Sequence, residues 1–129
     1  MILIHADEFS GAPAPGTTAH LELEADWSAF EGRLVDGGHW IAGANLQPTE
    51  TATTVRRTWN GTPVLTNGPC AETAEQLVGF YLVSAADLEE ALGLATALPV
   101  HAGSIEVRPV AHRAVPAGRE DADIVAGPA

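Results

Sequence analysis

Residues able to do chemistry are few in this chain, and none falls in a pattern that specifies a reaction. The one cysteine, Cys70, follows Pro69 and precedes Ala71 to Gln76, a stretch read as a short helical turn. A helix N-terminus lowers a thiol's pKa, which makes Cys70 a candidate nucleophile. No base is identifiable beside it, and a small buried residue is the competing reading. The histidines stand at 5, 20, 39, 101 and 112. No two are spaced i, i+4 and no cysteine pair accompanies them, so no metal site is expected. His5 closes the first apolar run near Asp7 and Glu8, where it is a candidate base or ligand, or a hydrogen-bonded structural group. Glu72 opens the turn after Cys70 and is either a pocket carboxylate or a helix cap. Arg56 and Arg108 are scarce cations in an acidic chain. Each is read as holding a small anionic ligand or as pairing with Glu72 or Glu106. Tyr81, central in an apolar run, is a pocket or core residue. Trp27 and Phe30 are assigned to the core.

Composition removes several function classes. The net charge is −11, from 17 acidic and 6 basic residues, and every basic residue is arginine. With acid spread along the chain no basic stripe can be assembled, so nucleic acid is not an expected partner. Neither GxGxxG nor GxxxxGK occurs, so no nucleotide cofactor is expected. A single cysteine forbids an internal disulfide. Residues 1–5 lack the basic start and long apolar core of a signal peptide, and no run approaches the ~18 residues of a membrane span. Cytoplasmic residence without a membrane partner is expected. The lysine-free, alanine-rich make-up fits a GC-rich bacterial genome. Asn60-Gly61-Thr62 matches a glycosylation acceptor but reads better as a hairpin turn.

Positioning these residues requires a small set of elements. Residues 1–6 read as a buried strand, followed by a Pro/Gly-rich loop over 7–18. Leu23, Trp27, Phe30 and Leu34 share one face of a helix over 20–36, ended by Gly37-Gly38. Strands are predicted over 39–45, 51–59 and 62–66, the last two as a hairpin about Asn60-Gly61. Residues 77–84 are the clearest central strand. A second helix is predicted over 85–98, capped by Ser84 with Asp87 and stopped by Pro99. Residues 104–110 form the last strand, and 111–129 read as a flexible tail beyond a single domain over 1–110.

Strand, helix, strand, hairpin, strand, helix, strand is the order of a ferredoxin-like α+β protomer with an inserted hairpin. Two helices cover one face of its sheet. The other face is expected to carry Leu77, Tyr81 and Val83, an apolar patch that a homodimer would hide.

Several strings together resemble the YCII-related family, in the branch named for an Asp-Gly-Pro-Phe motif. They are Gly43-Ala44-Asn45-Leu46-Gln47-Pro48, Thr51-Ala52-Thr53-Thr54-Val55-Arg56, Thr66-Asn67-Gly68-Pro69-Cys70-Ala71-Glu72-Thr73, Gly79-Phe80-Tyr81 and Ile105-Glu106-Val107-Arg108-Pro109. The resemblance implies a dimeric α+β barrel of undefined biochemistry. It also implies that Asn67 stands where the branch has the motif's aspartate, removing a base or ligand while keeping the turn. Cys70 stands where the branch has phenylalanine. A His–Asp pair proposed as catalytic in one branch falls at Asp26 and at Leu98-Pro99, so that dyad is not carried.

Three functions follow. The first is a small-molecule binder or enzyme with a pocket near the sheet face, drawn from His5, Arg56, Asn67, Cys70, Glu72, Tyr81 and Arg108. The second is a regulatory or interaction module, tied to a sigma factor by family analogy alone. The third is an inactive homologue with a degenerate pocket.

Overall fold

The structure, a computed structural model, describes residues 1–8 and 11–114. The expected tail therefore lies outside the described residues from 115 onward. Strands β1 (Ile2–Ala6), β2 (Trp40–Asn45), β3 (Thr53–Arg56), β4 (Val64–Asn67), β5 (Gln76–Val83) and β6 (Ser104–Val107) are joined by helices α1 (Thr18–Asp36) and α2 (Leu88–Thr96). A 3-10 turn spans Thr49–Thr51. The chain is thus mixed α+β. Its main sheet has four strands in the order β2-β5-β1-β6, with every neighbouring pair antiparallel. The β3–β4 hairpin forms a separate two-stranded ribbon. A loop over 57–63 joins its strands, wider than the two-residue turn expected at Asn60-Gly61.

Each helix starts where a side chain can replace the missing backbone partners. The Thr17 hydroxyl accepts from the His20 N–H at the start of α1. Gly38, at φ 70°, follows the end of α1 in a left-handed conformation that glycine tolerates. For α2 the cap is Asp87, whose carboxylate accepts from the Glu90 N–H at 2.9 Å. The helix therefore begins three residues later than Ser84 capping would place it, because a carboxylate caps its own helix here. Ala71 to Gln76 is not helical. The Gln76 amide donates to the carbonyls of Ala71 and Thr73 and holds the segment as a loop.

The core lies between the helices and one sheet face. Ile2 and Ile4 of β1, Tyr81 of β5 and Trp40 of β2 meet Phe30 and Leu34 of α1, with Ala95 and Leu98 at the end of α2. Fully burying side chains such as Ile2, Phe30 and Leu34 stabilises by roughly 1.5–3 kcal/mol each.

A bulge decides which residues face the helices. Ile4 pairs with Gly79 but His5 pairs with Leu77, so Val78 is an extra residue in β5. Leu77 thereby shares the outer face with Phe80 and Leu82, across from His5 and Leu3. The expected outer patch of Leu77, Tyr81 and Val83 is corrected accordingly. Tyr81 is 8% exposed and sits in the core, and Val83 packs against it. Simple alternation fails because one extra residue reverses the faces beyond it.

Candidate functional site

Helix α1 and the sheet do not close fully upon each other. Between them lies a cleft of about 510 Å³, lined by Trp27 and Glu31 of α1, Ile4 of β1, Trp40, Gly43, Ala44 and Asn45 of β2, and Val78, Gly79 and Tyr81 of β5. Cross-strand register builds its floor. Gly43 pairs with Tyr81 and Asn45 with Gly79, which places these residues on the helix side of β2 and β5. Gly43 makes room for an aromatic ring: a Cβ there would lie 3.0 Å from Tyr81 Cδ1. A Cβ on Gly79 would lie 2.9 Å from the Ala44 carbonyl oxygen, so glycine is what allows β2 and β5 their spacing.

The wall is aromatic. Tyr81 stacks with Trp27 at a centroid distance of 6.4 Å and an interplanar angle of 21°. Phe30 and Trp40 meet Tyr81 edge-on at 5.5 and 5.7 Å. Such pairs add about 0.5–1.5 kcal/mol each beyond the area they bury. They also hold the Tyr81 ring in one orientation, and that orientation aims its hydroxyl at α1.

There the Tyr81 hydroxyl donates to Glu31 Oε1 at 2.8 Å. Burial raises the Tyr81 pKa well above the usual phenol range, and the hydrogen bond to Glu31 and its negative charge push the same way. Tyr81 is therefore a neutral hydrogen-bond donor at physiological pH, and the acceptor of the pair is the Glu31 carboxylate. Trp27 and Glu31 are four residues apart on α1, which is why one helix face delivers both. Among the described residues, no ion pair includes Glu31. The cleft thus combines aromatic walls, one carboxylate, one phenol donor and the Asn45 amide, with no cationic side chain in its lining.

The seven residues picked from sequence do not converge. Tyr81 alone lines this cleft. Arg56 lies on the hairpin and donates to the Cys70 carbonyl at 3.0 Å, while the Thr54 hydroxyl donates to the Gly68 carbonyl at 2.7 Å. These bonds fasten the loop at 68–70 to β3, so Arg56 engages backbone, a contact outside both the anionic ligand and the carboxylate partners expected for it. Cys70 is exposed and stands at no helix terminus, which removes the reason for expecting an activated thiol. Asn67 is exposed at the end of β4, opposite Thr53. Glu72 lines a shallow depression with Asp7, Glu8, Glu50 and Thr49. Glu8 accepts from the Thr49 N–H and hydroxyl at 2.8 and 2.5 Å, tying β1 to the 3-10 turn. Helix capping by Glu72 lapses with the missing helical turn. His5 is on the outer sheet face between Leu77 and Ser104. Arg108 pairs with Glu106, one of the two partners proposed for it. Among the described residues, no three His, Cys, Asp or Glu side chains are placed to hold a metal ion. No helix of the described residues is long and apolar enough to cross a membrane.

Sequence reasoning missed Glu31. It lies off the apolar stripe of Leu23, Trp27, Phe30 and Leu34 on α1. Its position four residues after Trp27 was the available signal. A second unpredicted contact joins His39 to α2: Nδ1 lies 2.9 Å from the Ser84 carbonyl oxygen and 3.2 Å from Glu90 Oε1. It ties β2 and β5 to α2 away from the cleft.

The profile of the YCII-related domain matches residues 1–113. An uncharacterised protein of Rhizobium meliloti (strain 1021) is similar, being 44% identical over 89 residues that span 67% of this chain and 71% of the relative.

Proposed function

The chain belongs to the YCII-related domain family, and from that premise we propose that it is a small-molecule-binding protein whose site is the cleft around Tyr81 and Glu31. One observation carries the reading: a part-buried phenol–carboxylate pair opens into an aromatic cleft. Ligand sites characteristically combine apolar walls with a few fixed polar groups. The pair is pre-organised, since ring contacts from Trp27, Phe30 and Trp40 set the phenol before any ligand arrives. Should the site also catalyse a reaction, Glu31 is the group that accepts a proton and Tyr81 the group that donates a hydrogen bond. Soaking crystals with a mixed fragment library tests the reading. Density in the cleft is the expected result; fragments bound only elsewhere on the protein would overturn it.

The same proposal takes the protomer as ferredoxin-like, with β3 and β4 inserted between β2 and β5. The strand order supports this, because α1 and α2 each link strands separated by one intervening strand. It also takes the protein as a homodimer joined through the outer sheet face of Leu3, Phe80 and Leu82. Placement in the Asp-Gly-Pro-Phe branch is part of the same proposal and is supported by the five strings that carry the resemblance.

A specific observation favours a second reading, an interaction module. Val55, Trp59, Val64 and Leu65 of the hairpin are all exposed, with Trp59 completely so. Exposed apolar side chains grouped on one ribbon suit a protein partner. Substituting Trp59 and Leu65 together with serine would abolish partner capture under this reading and leave ligand binding in the cleft intact.

A further inference from the structure

We infer that the cleft is built for an organic ammonium ion, its positive charge seated against Glu31 and the aromatic rings; this deepens the small-molecule reading and rests on it. Charge in the lining comes from Glu31 alone. Tyr81 occupies Glu31 Oε1, and no ion pair among the described residues neutralises the carboxylate. An incoming cation would therefore meet the Glu31 carboxylate with no competing ion pair among the described residues.

The other side chains suit the same ligand. Trp27, Trp40 and Tyr81 line the same cleft as the carboxylate, and the negative faces of such rings attract cations. Asn45, on the same side of β2 as Gly43, supplies an amide carbonyl oxygen able to accept from an ammonium N–H. The protein's net charge of −11 enriches cations around it.

Other ligand classes fit worse. An anion would meet Glu31 with no cationic side chain in the lining to receive it, since Arg56 is engaged on the hairpin and Arg108 with Glu106. A neutral apolar ligand would seal the carboxylate away from water with the Tyr81 hydroxyl as its one side-chain donor and its charge uncompensated. The ligand class is therefore an amine or quaternary ammonium whose apolar part fills the remaining cleft.

The experiment titrates the full chain, followed by isothermal calorimetry, with benzyltrimethylammonium, benzyl alcohol and phenylacetate as cationic, neutral and anionic probes. Benzyltrimethylammonium is expected to bind about tenfold tighter than the other two, the size of a partly desolvated cation–π and carboxylate contact. Glu31→Gln should erase that preference. Glu22→Gln, which removes an equal charge from an exposed position of α1 outside the lining, should preserve it. Equal binding of all three probes to the wild type overturns the ammonium assignment and leaves the cleft as a ligand site. A preference that survives in Glu31→Gln overturns it as well. Failure of every probe to bind overturns both this inference and the reading of the cleft on which it rests.

Discussion

The Tyr81–Glu31 pair makes a prediction that one chromophore can report, because Tyr81 is the only tyrosine in the chain. Tyrosinate absorbance therefore follows this residue alone. An unperturbed phenol titrates near pH 10. In the folded protein burial, the Glu31 hydrogen bond and the Glu31 charge, in that order, all raise the value. The neutral form is thus favoured by folding. The contribution to stability is complete below about pH 10, where the unfolded phenol is still protonated, and is lost as pH rises through the folded value. Glu31→Gln removes the charge but leaves the ring buried, so the titration should move part of the way back toward the ordinary value. Tyr81→Phe keeps the ring contacts and deletes the 2.8 Å bond. Hydrogen bonds to charged groups contribute about 1.5–3 kcal/mol, and water can replace the lost hydroxyl at the open cleft, so about 1.5 kcal/mol is expected. That loss lowers the urea midpoint by on the order of 1 M. Ordinary titration in the folded wild type, together with a Tyr81→Phe melt that overlays it, would refute the reasoning.

Three further outcomes follow from the same packing. Asp87→Ala removes the side-chain acceptor at the start of α2 and should cost about 1 kcal/mol in urea denaturation. Gly103→Ala should cost about 2 kcal/mol or more, because Gly103 has φ 143° and a Cβ there would lie 2.2 Å from the His5 carbonyl oxygen; thermal denaturation reads it. Phe80→Glu places a charge on the outer sheet face beside Leu3; if the proposed homodimer forms through that face, analytical ultracentrifugation should show a dimer for the wild type and a folded monomer for the variant.

Much of the frame was legible because its signals are local. The run at Ile2–Ile4, the stripe Leu23, Trp27, Phe30, Leu34 and the glycines after Asp36 each announce an element through neighbours in the chain. What escaped depends on a partner distant in sequence. The bulge at Val78 exists only because β1 pairs with β5, and it moved Tyr81 and Val83 from the outer face to the core. Gln76 looked like the end of a helical turn, yet its amide bonds the two carbonyls that keep Ala71 to Gln76 a loop. Read on its own, Glu31 is a surface acid of an amphipathic helix. Only the packing of α1 over β5 turns it toward Tyr81. Arg56 and Arg108 were singled out because cations are rare here, but rarity is a property of composition, and each is engaged locally.

The proposed ligand site is the cleft between α1 and the sheet. Three indole N–H groups report on it from different distances: Trp27 and Trp40 line the cleft, while Trp59 is fully exposed on the hairpin. Indole resonances of nitrogen-15-labelled protein, followed by NMR during titration with benzyltrimethylammonium, test the claim directly. Saturable shifts of Trp27 and Trp40 with Trp59 unmoved are predicted; a response confined to Trp59, or no response at all, would contradict it.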